Sequence, residues 1–459
     1  MYEIDFTTPI HVHFIGIGGI SMSGLAQILL SKGFRVSGSD NQNSKLTEEL
    51  ENAGATIYIG QRASNVSEDV DLAVYTAAIK EDNEEFMRFR ELGIPMMPRA
   101  ALLGQIMKNY KNAIAVSGTH GKTTTSSMMS EILLAAQADP TLTIGGIAKS
   151  INGNLRLGNS DVFLTEACEY TNSFLSFFPR YGIILNIEED HMDFFKDIED
   201  IRNSFHNFAR LLPEDGALVI NNDIPDHKEL TSDLKCNVKT FGFDDSADYY
   251  CTNLEVREMG NHSFMFHTPD GKSCEVVLDM LGRHNVSNAI SALALADILG
   301  IDLDLASKAL SICTGARRRF EKKGMLGGVT VIDDYAHHPT EIRATLQAAK
   351  AYPHREVWCV FQPHTYTRTK AFLNDFAEAL SMADHVVLTD IYAAREKNTI
   401  GISSKDLQAL LLEKGCDCHY FASFSDIENF LLQNCIPRDM LITMGAGDVV
   451  KIGENLLGQ

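Results

Sequence analysis

The sequence predicts an α/β protein of three successive units, each built on a mostly parallel sheet covered by helices. Three observations carry this. Apolar runs of strand length alternate with helical apolar patterns along the 459 residues, as in βαβ folds rather than sandwiches or bundles. Two of those runs empty directly into glycine-rich turns that open a helix. In the last third, the runs end in polar loops rich in histidine, arginine and aspartate. The length suits about three domains.

The first unit, 1–107, begins with the strand His11 to Ile15, then Gly16-Ile17-Gly18-Gly19-Ile20-Ser21, a helix from Met22 to Ser31, and a second strand from Phe34 ending at Ser39-Asp40. This is a βαβ unit with a glycine-rich first turn. A dinucleotide fingerprint would place glycine where Ser21 stands, while an acid about 20 residues on is present as Asp40. A dinucleotide site, a UDP-sugar site and a purely structural turn all fit those residues. A helix over 46–53, strands over 56–59 and 72–75, a helix over 83–92 and a short strand over 94–96 complete the unit.

The second unit, 108–318, opens on AIAVSGTHGKTTTSSMMSEILLAA, residues 113–136. Strand, glycine loop, lysine, hydroxyl and helix form a phosphate cradle: loop amides and the helix N-terminus face an anion, and lysine adds a point charge. A hydroxyl after the lysine suits Mg²⁺ on the phosphates. Val116 stands where the full Walker pattern has glycine, so the loop is shortened to G-x-x-G-K-T-T. Further strands are expected over 161–165, reaching Glu166, and over 181–187, reaching Glu188-Glu189-Asp190-His191-Met192-Asp193. Strand C-termini share the edge of the phosphate loop, so these acids and His191 face the cradle as cation ligands. For Asp190 and Asp193, N-capping of a helix beginning at Phe194 fits equally well. A strand over 276–281 leads to a buried helix reaching Leu299 that carries Asn285 and Asn288 on one face.

The third unit, 319–459, follows the basic stretch Thr314-Gly315-Ala316-Arg317-Arg318-Arg319-Phe320. Strands are expected over 329–332, 356–361, 385–388 and 440–444, with helices over 341–351, 370–381 and 404–414. Polar loops follow the strands: Asp333 to Pro339, Gln362 to Thr369, Asp390 to Glu396 and Gly445 to Asp448. Three histidines in them (His337, His338, His364) are more than a sheet ordinarily gathers; His354, after Pro353, reads as loop.

A formal charge of −21 argues against nucleic acid or acidic lipid as partner, though not against small anions met by local cations. No apolar run approaches ~18 residues, so no membrane insertion is expected. The start, MYEIDFTTPIHVHF, lacks a basic n-region and cleavage signal, giving the expectation of a cytoplasmic protein. Nine scattered cysteines without zinc spacing read as reduced thiols.

Taken together, HFIGIGGISMSGLA with SGSD, SGTHGKTTT, NIEEDHMDFF, GRHNVSNA, RRRFE, DDYAHHPTE, FQPHTYTRT and MGAGD resemble, in order, the motifs of the Mur ligases. The resemblance spans nearly the whole chain and is nearest the alanine-adding branch. It implies a Rossmann-like UDP-sugar domain, a central P-loop-type ATPase domain and a Rossmann-like C-terminal domain that meets the amino acid. The implied reaction joins L-alanine to the lactyl carboxylate of UDP-N-acetylmuramate through an acyl phosphate, using ATP and Mg²⁺, with two ions expected.

Carried onto this chain, Gly118, Thr119, His120, Gly121, Lys122, Thr123 and Thr124 hold the ATP phosphates. Lys122 meets the β/γ oxygens, and His120 also meets substrate. Thr123 takes one metal ion, and Glu166 and His191 the other. Asn285 and Asn288 contact adenine, Arg319 a phosphate and Asp334 the ribose. Gly16, Ile17, Gly18, Gly19 and Asp40 contact UDP. Tyr335, His337, His364 and Arg368 meet the muramoyl carboxylate and the alanine. Lys122, Glu166, His191 and Arg368 are the implied catalytic set. His337, His364 and solvent stand as candidate bases for the amine.

Three departures stand out: Ser21 for glycine, Ala167-Cys168-Glu169-Tyr170-Thr171 for the usual Ala-Asp-Glu-Ser-Asp, and Thr365 where some members carry arginine. The absence of lysine over Asp197 to Pro213 resembles the alanine adders rather than the glutamate and diamino-acid adders, which use a modified lysine there. The rival readings are a UDP-MurNAc tripeptide ligase, a nicotinamide-dependent dehydrogenase built on Gly16 to Asp40, and a non-catalytic nucleotide-binding scaffold. A monomer or a homodimer is expected, with domain closure about the basic hinge.

Overall fold

The computed structural model describes residues 2–258, 260–394 and 396–459; Arg395, in one of the polar loops noted above, lies outside them. The α/β expectation holds. In the first unit, β1 (His11–Ile15), α1 (Ile20–Ser31), β2 (Arg35–Asp40), α2 (Lys45–Asn52), β3 (Thr56–Ile59), β4 (Leu72–Tyr75), α3 (Glu84–Leu92), β5 (Met96–Pro98) and α4 (Arg99–Met107) follow in turn. The sheet is parallel, in the order β3-β2-β1-β4-β5. Every residue of β1, HVHFI, is buried, and its two histidines are satisfied inside by the Ser37 hydroxyl, 2.9 Å from His11 Nε2 and 2.8 Å from His13 Nδ1. Asn83 starts α3 by accepting from the amides of Glu85 and Phe86, and Gly93 ends it at φ 68°.

The central unit contains β6 (Asn112–Ser117), α5 (Lys122–Ala135), β7 (Thr141–Ala148), β8 (Gly153–Arg156), β9 (Val162–Ala167), β10 (Tyr181–Ile184), α6 (Ile198–Ala209), β11 (Ala217–Asn221), α7 (His227–Thr231), β12 (Asn237–Phe241), β13 (Tyr250–Val256), β14 (Asn261–His267), β15 (Ser273–Leu281), α8 (Arg283–Ile298) and α9 (Leu303–Ser311). Seven strands form one sheet in the order β12-β11-β10-β6-β9-β7-β8, with only β7–β8 antiparallel. Its centre, β10-β6-β9, puts three strand C-termini beside the phosphate loop. The strand expected over 276–281 is present as the end of β15, in a separate antiparallel sheet, β13-β14-β15. The strand over 181–187 stops at Ile184, because Leu185 and Asn186 turn to bond the phosphate loop.

The last unit has β16 (Glu321–Leu326), β17 (Val329–Asp334), α10 (Pro339–Ala351), β18 (Val357–Phe361), α11 (Tyr366–Ala371), α12 (Leu373–Leu380), β19 (His385–Leu388), α13 (Ser404–Glu413), β20 (Asp417–Tyr420), α14 (Phe424–Asn434), β21 (Met440–Met444) and α15 (Val450–Leu457). Its sheet runs β16-β17-β21-β18-β19-β20, parallel except for β16. The helix expected over 370–381 is two helices, broken at Phe372, and the first begins in the polar loop at Tyr366.

The first two units share one apolar core, in which Phe14, Leu102 and Ile106 are continuous with Phe163, Phe174 and Phe205. Contact is close where α4 meets the turn 170–176: a Cβ on Gly104 would fall 1.8 Å from the Ser176 carbonyl oxygen, so only glycine fits. No helix of the described residues is long and apolar enough to cross a membrane.

Candidate active site

The phosphate loop is held by the chain that follows β10. Asn186 clamps it, accepting from the His120 amide (2.8 Å) and donating to the His120 carbonyl (3.1 Å); Thr119 Oγ1 accepts from the Glu188 amide (3.0 Å). Gly121 takes φ 86°, and a Cβ there would lie 2.7 Å from Asn288 Oδ1, so the loop and α8 approach through a glycine. Asn288 donates to Asn285 Oδ1 (3.1 Å), and Asn285 donates to the Leu281 carbonyl (2.7 Å).

A cavity of about 260 Å³ joins these parts across the boundary of the second and third units. His120, Gly121, Thr124, Asn285 and Asn288 line it on one side, Arg319 and Asp334 on the other. Seven of the residues expected to bind ATP therefore converge. Both oxygens of Asp334 take backbone amides, of Phe320 and Ala336, each at 2.7 Å, and burial pushes its pKa up to about 6. Of the three hinge arginines, only Arg319 reaches this cavity; Arg318 is tied to Asp333 and the Gly445 carbonyl.

Lys122 donates to Gly118 and Thr119 carbonyls and to Glu169 Oε2 (3.0 Å). Burial opposes its charge, but the Glu169 carboxylate outweighs burial and holds the ammonium protonated. Thr123 Oγ1 donates to Glu166 Oε2 (3.1 Å), and Glu166 Oε1 accepts from the Gly145 amide (2.6 Å). His191 is elsewhere. The carboxylates within 4 Å of its Nε2, among the described residues, are Glu169 and Asp190, both at 3.8 Å. Tyr170 stacks on its ring at 4.5 Å and donates to Asp193 (2.8 Å).

Asp190 and Asp193 do not cap a helix at Phe194; α6 starts at Ile198 with Asp197 as its cap. Asp190 instead meets Arg368, whose Nε and Nη2 lie 3.1 and 3.0 Å from its Oδ1, in a buried pair between the second and third units. That guanidinium holds the Asp190 carboxyl well below its usual range despite burial. Thr365, at φ 64°, caps α11 and so helps hold Arg368 in place. Arg368 Nη1 faces His364 Nδ1 (3.3 Å). A guanidinium only donates, so that nitrogen's lone pair is engaged. His337 Nδ1 faces the Tyr335 carbonyl (3.0 Å), which only accepts, so Nδ1 carries the proton and Nε2 keeps its lone pair. Burial pulls both histidines down to about 4, leaving them neutral at pH 7. Tyr335 packs edge-on to His337 and beneath Arg318 and Arg319. His354 is loop, with Nδ1 on its neighbour's carbonyl at Tyr352.

His120 sits between Glu188 (3.6 Å) and Glu341 (3.3 Å); burial opposes its protonation, but the two carboxylates push it up to about 9. In the first unit, Gly16 and Ile17 amides donate to the Ser39 carbonyl (2.8 and 2.9 Å), and the Gly18 amide donates to Asp40 Oδ2 (2.9 Å). Asp40 thus shapes the glycine turn directly.

Glu169, Glu341 and the pair Gly145-Gly146 are site-lining groups that sequence reasoning passed over. Glu169 was visible only as part of an unusual tripeptide, and Glu341 as one acid in the first turn of an amphipathic helix.

Family models match the three parts in order: Mur ligase family catalytic domain over 11–111, Mur ligase middle domain over 116–296, and Mur ligase glutamate ligase domain over 318–447. The chain is 58% identical to the UDP-N-acetylmuramate–L-alanine ligase of Agathobacter rectalis over 457 residues, covering 100% of both, and 48% identical to that of Caldanaerobacter subterraneus, covering 99% of both. The crystal structure of UDP-N-acetylmuramate-alanine ligase MurC from Thermotoga maritima superposes with a TM-score of 0.80 at 31% identity, covering 98% of both chains. A murein peptide ligase from Psychrobacter arcticus gives 0.71 at 26%, also covering 98% of both.

Proposed function

The chain belongs to the Mur ligase family, and from that premise we propose how its residues divide the work. The enzyme is an ATP-dependent, amide-bond-forming ligase that joins L-alanine to UDP-N-acetylmuramate in peptidoglycan synthesis. A carboxylate is a poor electrophile. Transfer of the ATP γ-phosphoryl to the lactyl carboxylate makes an acyl phosphate, which the alanine amine attacks with loss of phosphate.

The chain's part is to position groups and neutralise charge. The phosphate-loop amides and Lys122 take the transferring phosphoryl group. Asn285, Asn288, Arg319 and Asp334 seat the rest of the nucleotide. Thr123 and Glu166 fit a hard divalent cation: their oxygens are already adjacent, and Gly145 leaves room beside them. Among the described residues Glu169 Oε1 is buried with no hydrogen-bond partner and faces His191, so Glu169 and His191 suit a second ion better than Glu166 and His191 do. Mg²⁺ bound there would neutralise charge on the phosphate and carboxylate oxygens. Arg368, with His364 fixed against it, orients an incoming carboxylate. His337 Nε2, its lone pair free, is placed to accept a hydrogen bond from the alanine amine once that amine has lost its proton to solvent.

The observation that carries this reading is the single cavity shared by the phosphate loop, the two asparagines and the Arg319–Asp334 edge. Its test is phosphate release by the purified protein with Mg-ATP and UDP-N-acetylmuramate, with each amino acid added in turn. Release that depends on L-alanine is expected; equal release without it would overturn the reading.

A further inference from the structure

Glu85, in the first turn of α3, is a fully buried carboxylate outside the site described above. Among the described residues no lysine or arginine lies within 4 Å of it; the His13 imidazole, itself fully buried, stands 3.7 Å away. Two neutral groups take its oxygens. Oε2 accepts from the Ser39 hydroxyl (2.5 Å), and Oε1 accepts from the Asn65 side-chain amide (2.6 Å). A desolvated carboxylate is costly unless its partners are well placed, and an apolar side chain would fill the same position without that cost.

Both partners lead to one place, the end of β2. The Ser39 carbonyl accepts the amides of Gly16 and Ile17 (2.8 and 2.9 Å). Asn65 also donates to the Gly60 carbonyl (2.8 Å), and the Gly60 amide in turn donates to the Asp40 carbonyl (2.8 Å). Asp40 Oδ2 accepts the Gly18 amide. Three consecutive amides of the glycine turn therefore hang on Ser39 and Asp40, and Glu85 holds that pair by two routes. The packing between strand end and turn is tight. A Cβ on Gly38 would fall 2.7 Å from both the Phe14 carbonyl oxygen and Ile17 Cδ1, and one on Gly18 would fall 2.9 Å from Asp40 Oδ2. Movement of the strand end is passed to the turn rather than absorbed.

We propose that Glu85 is a positioning residue: acting through Ser39, and through Asn65 and Gly60, it fixes the shape of the glycine turn and so the fit of the nucleotide half of the substrate. The inference rests on the substrate reading above. Glu85 touches neither ligand nor reacting atoms, so its effect falls on binding of the substrate and not on the chemistry at Lys122 and Glu166. The competing role, a buried counter-charge for His13 alone, does not pass through Ser39, and that difference is what the experiment reads.

The test is a double-mutant cycle on Ser39→Ala and Glu85→Gln, read by calorimetric binding of UDP, with ATP binding as the control, well below each variant's melting temperature. Glu85→Gln keeps the side chain's shape, but its amide nitrogen has to face one of the two donors. Loss of a hydrogen bond to a charged group is worth roughly 10-fold or more. Glu85→Gln should weaken UDP by about that factor and Ser39→Ala by several-fold, with ATP within about twofold. In the ligase assay KM for UDP-N-acetylmuramate should rise while kcat stays nearly constant. The double variant should bind UDP within about twofold of Glu85→Gln alone, because both changes break one link. Asn65→Ala, which cuts the other route, should add its loss to that of Ser39→Ala. Full additivity between Ser39→Ala and Glu85→Gln would overturn the proposal in favour of the His13 role. A lowered melting temperature with unchanged UDP affinity would make Glu85 purely structural. If Glu85→Gln does not fold, Ser39→Ala and Asn65→Ala decide: unchanged UDP affinity in both overturns the proposal. A wild type that does not bind UDP would instead refute the substrate reading beneath it.

Discussion

The change Gly145→Ala isolates the role of Glu166 without touching a charged group. Gly145 lies in β7, and its amide donates to Glu166 Oε1. A Cβ added there would sit 2.6 Å from Glu166 Oε2 and 3.0 Å from the other two carboxylate atoms, where ordinary contact begins at 3.4 Å. The carboxylate must therefore retreat by about 0.8 Å, taking its oxygen away from Thr123. Misplacement of a reacting constellation by ~1 Å costs on the order of 10²-fold in rate. The clash falls on the far end of a flexible side chain, and Gly145 does not need left-handed backbone, so folding should be little affected. The expected result is a kcat for alanine-dependent phosphate release lower by about 10²-fold, with the melting temperature nearly unchanged. The neighbouring Gly146→Ala brings its Cβ to 3.1 Å from the Thr123 methyl, needing only a few tenths of an ångström, and should lose far less. A Gly145→Ala enzyme with wild-type kcat would refute the claim that Glu166 belongs to the machinery.

Lys122→Ala should reduce ligation by ~10²-fold or more, while calorimetry shows UDP binding by the first unit intact; loss of both would mean the two sites are not separate. Asp190→Asn removes the charge opposite buried Arg368 and should cost on the order of 3 kcal/mol, read as an earlier urea transition; an unchanged midpoint would rule out the pair as a structural link. His120 titrates near 9 rather than 6.5. Its raised folded-state value means the ion pairs to Glu188 and Glu341 contribute fully below about 6.5 and are lost as pH rises through about 9. Thermal stability should therefore fall between pH 7 and 10 by up to about 3 kcal/mol more in the wild type than in His120→Gln, and parallel profiles would refute it.

The sequence was legible where one local signal had one structural meaning. The turn at Gly16 to Gly19, the loop at Gly118 to Lys122 and the buried strand over 440–444 each follow from periodicity plus glycine placement. Legibility failed where the decisive partner was distant. Residues 273–281 alternate in burial as an antiparallel, half-exposed strand does, yet a short apolar stretch inside an α/β chain is also compatible with a parallel one. Asp190 looked like a cap because its partner, Arg368, is 178 residues away. Glu169 drew attention only as a departure, and nothing local says that it, rather than Glu166, stands between Lys122 and His191.

The cations expected to meet substrate anions all have protein carboxylates at hand: Lys122 has Glu169, Arg319 has Glu341 and Arg368 has Asp190. Buried cations need such partners, since an unpaired charge would destabilise the site by several kcal/mol. Substrate binding at these positions is therefore an exchange of anions rather than a simple gain of contacts. An exchange of this kind lowers net affinity, because the displaced carboxylate must be satisfied elsewhere, and it favours the transition state if the partner fits developing charge better than the carboxylate did. Glu341 has an outlet in His120, which the carboxylates around it hold protonated, while Glu169 and Asp190 keep only polar neighbours in the His191 ring and the His191 amide.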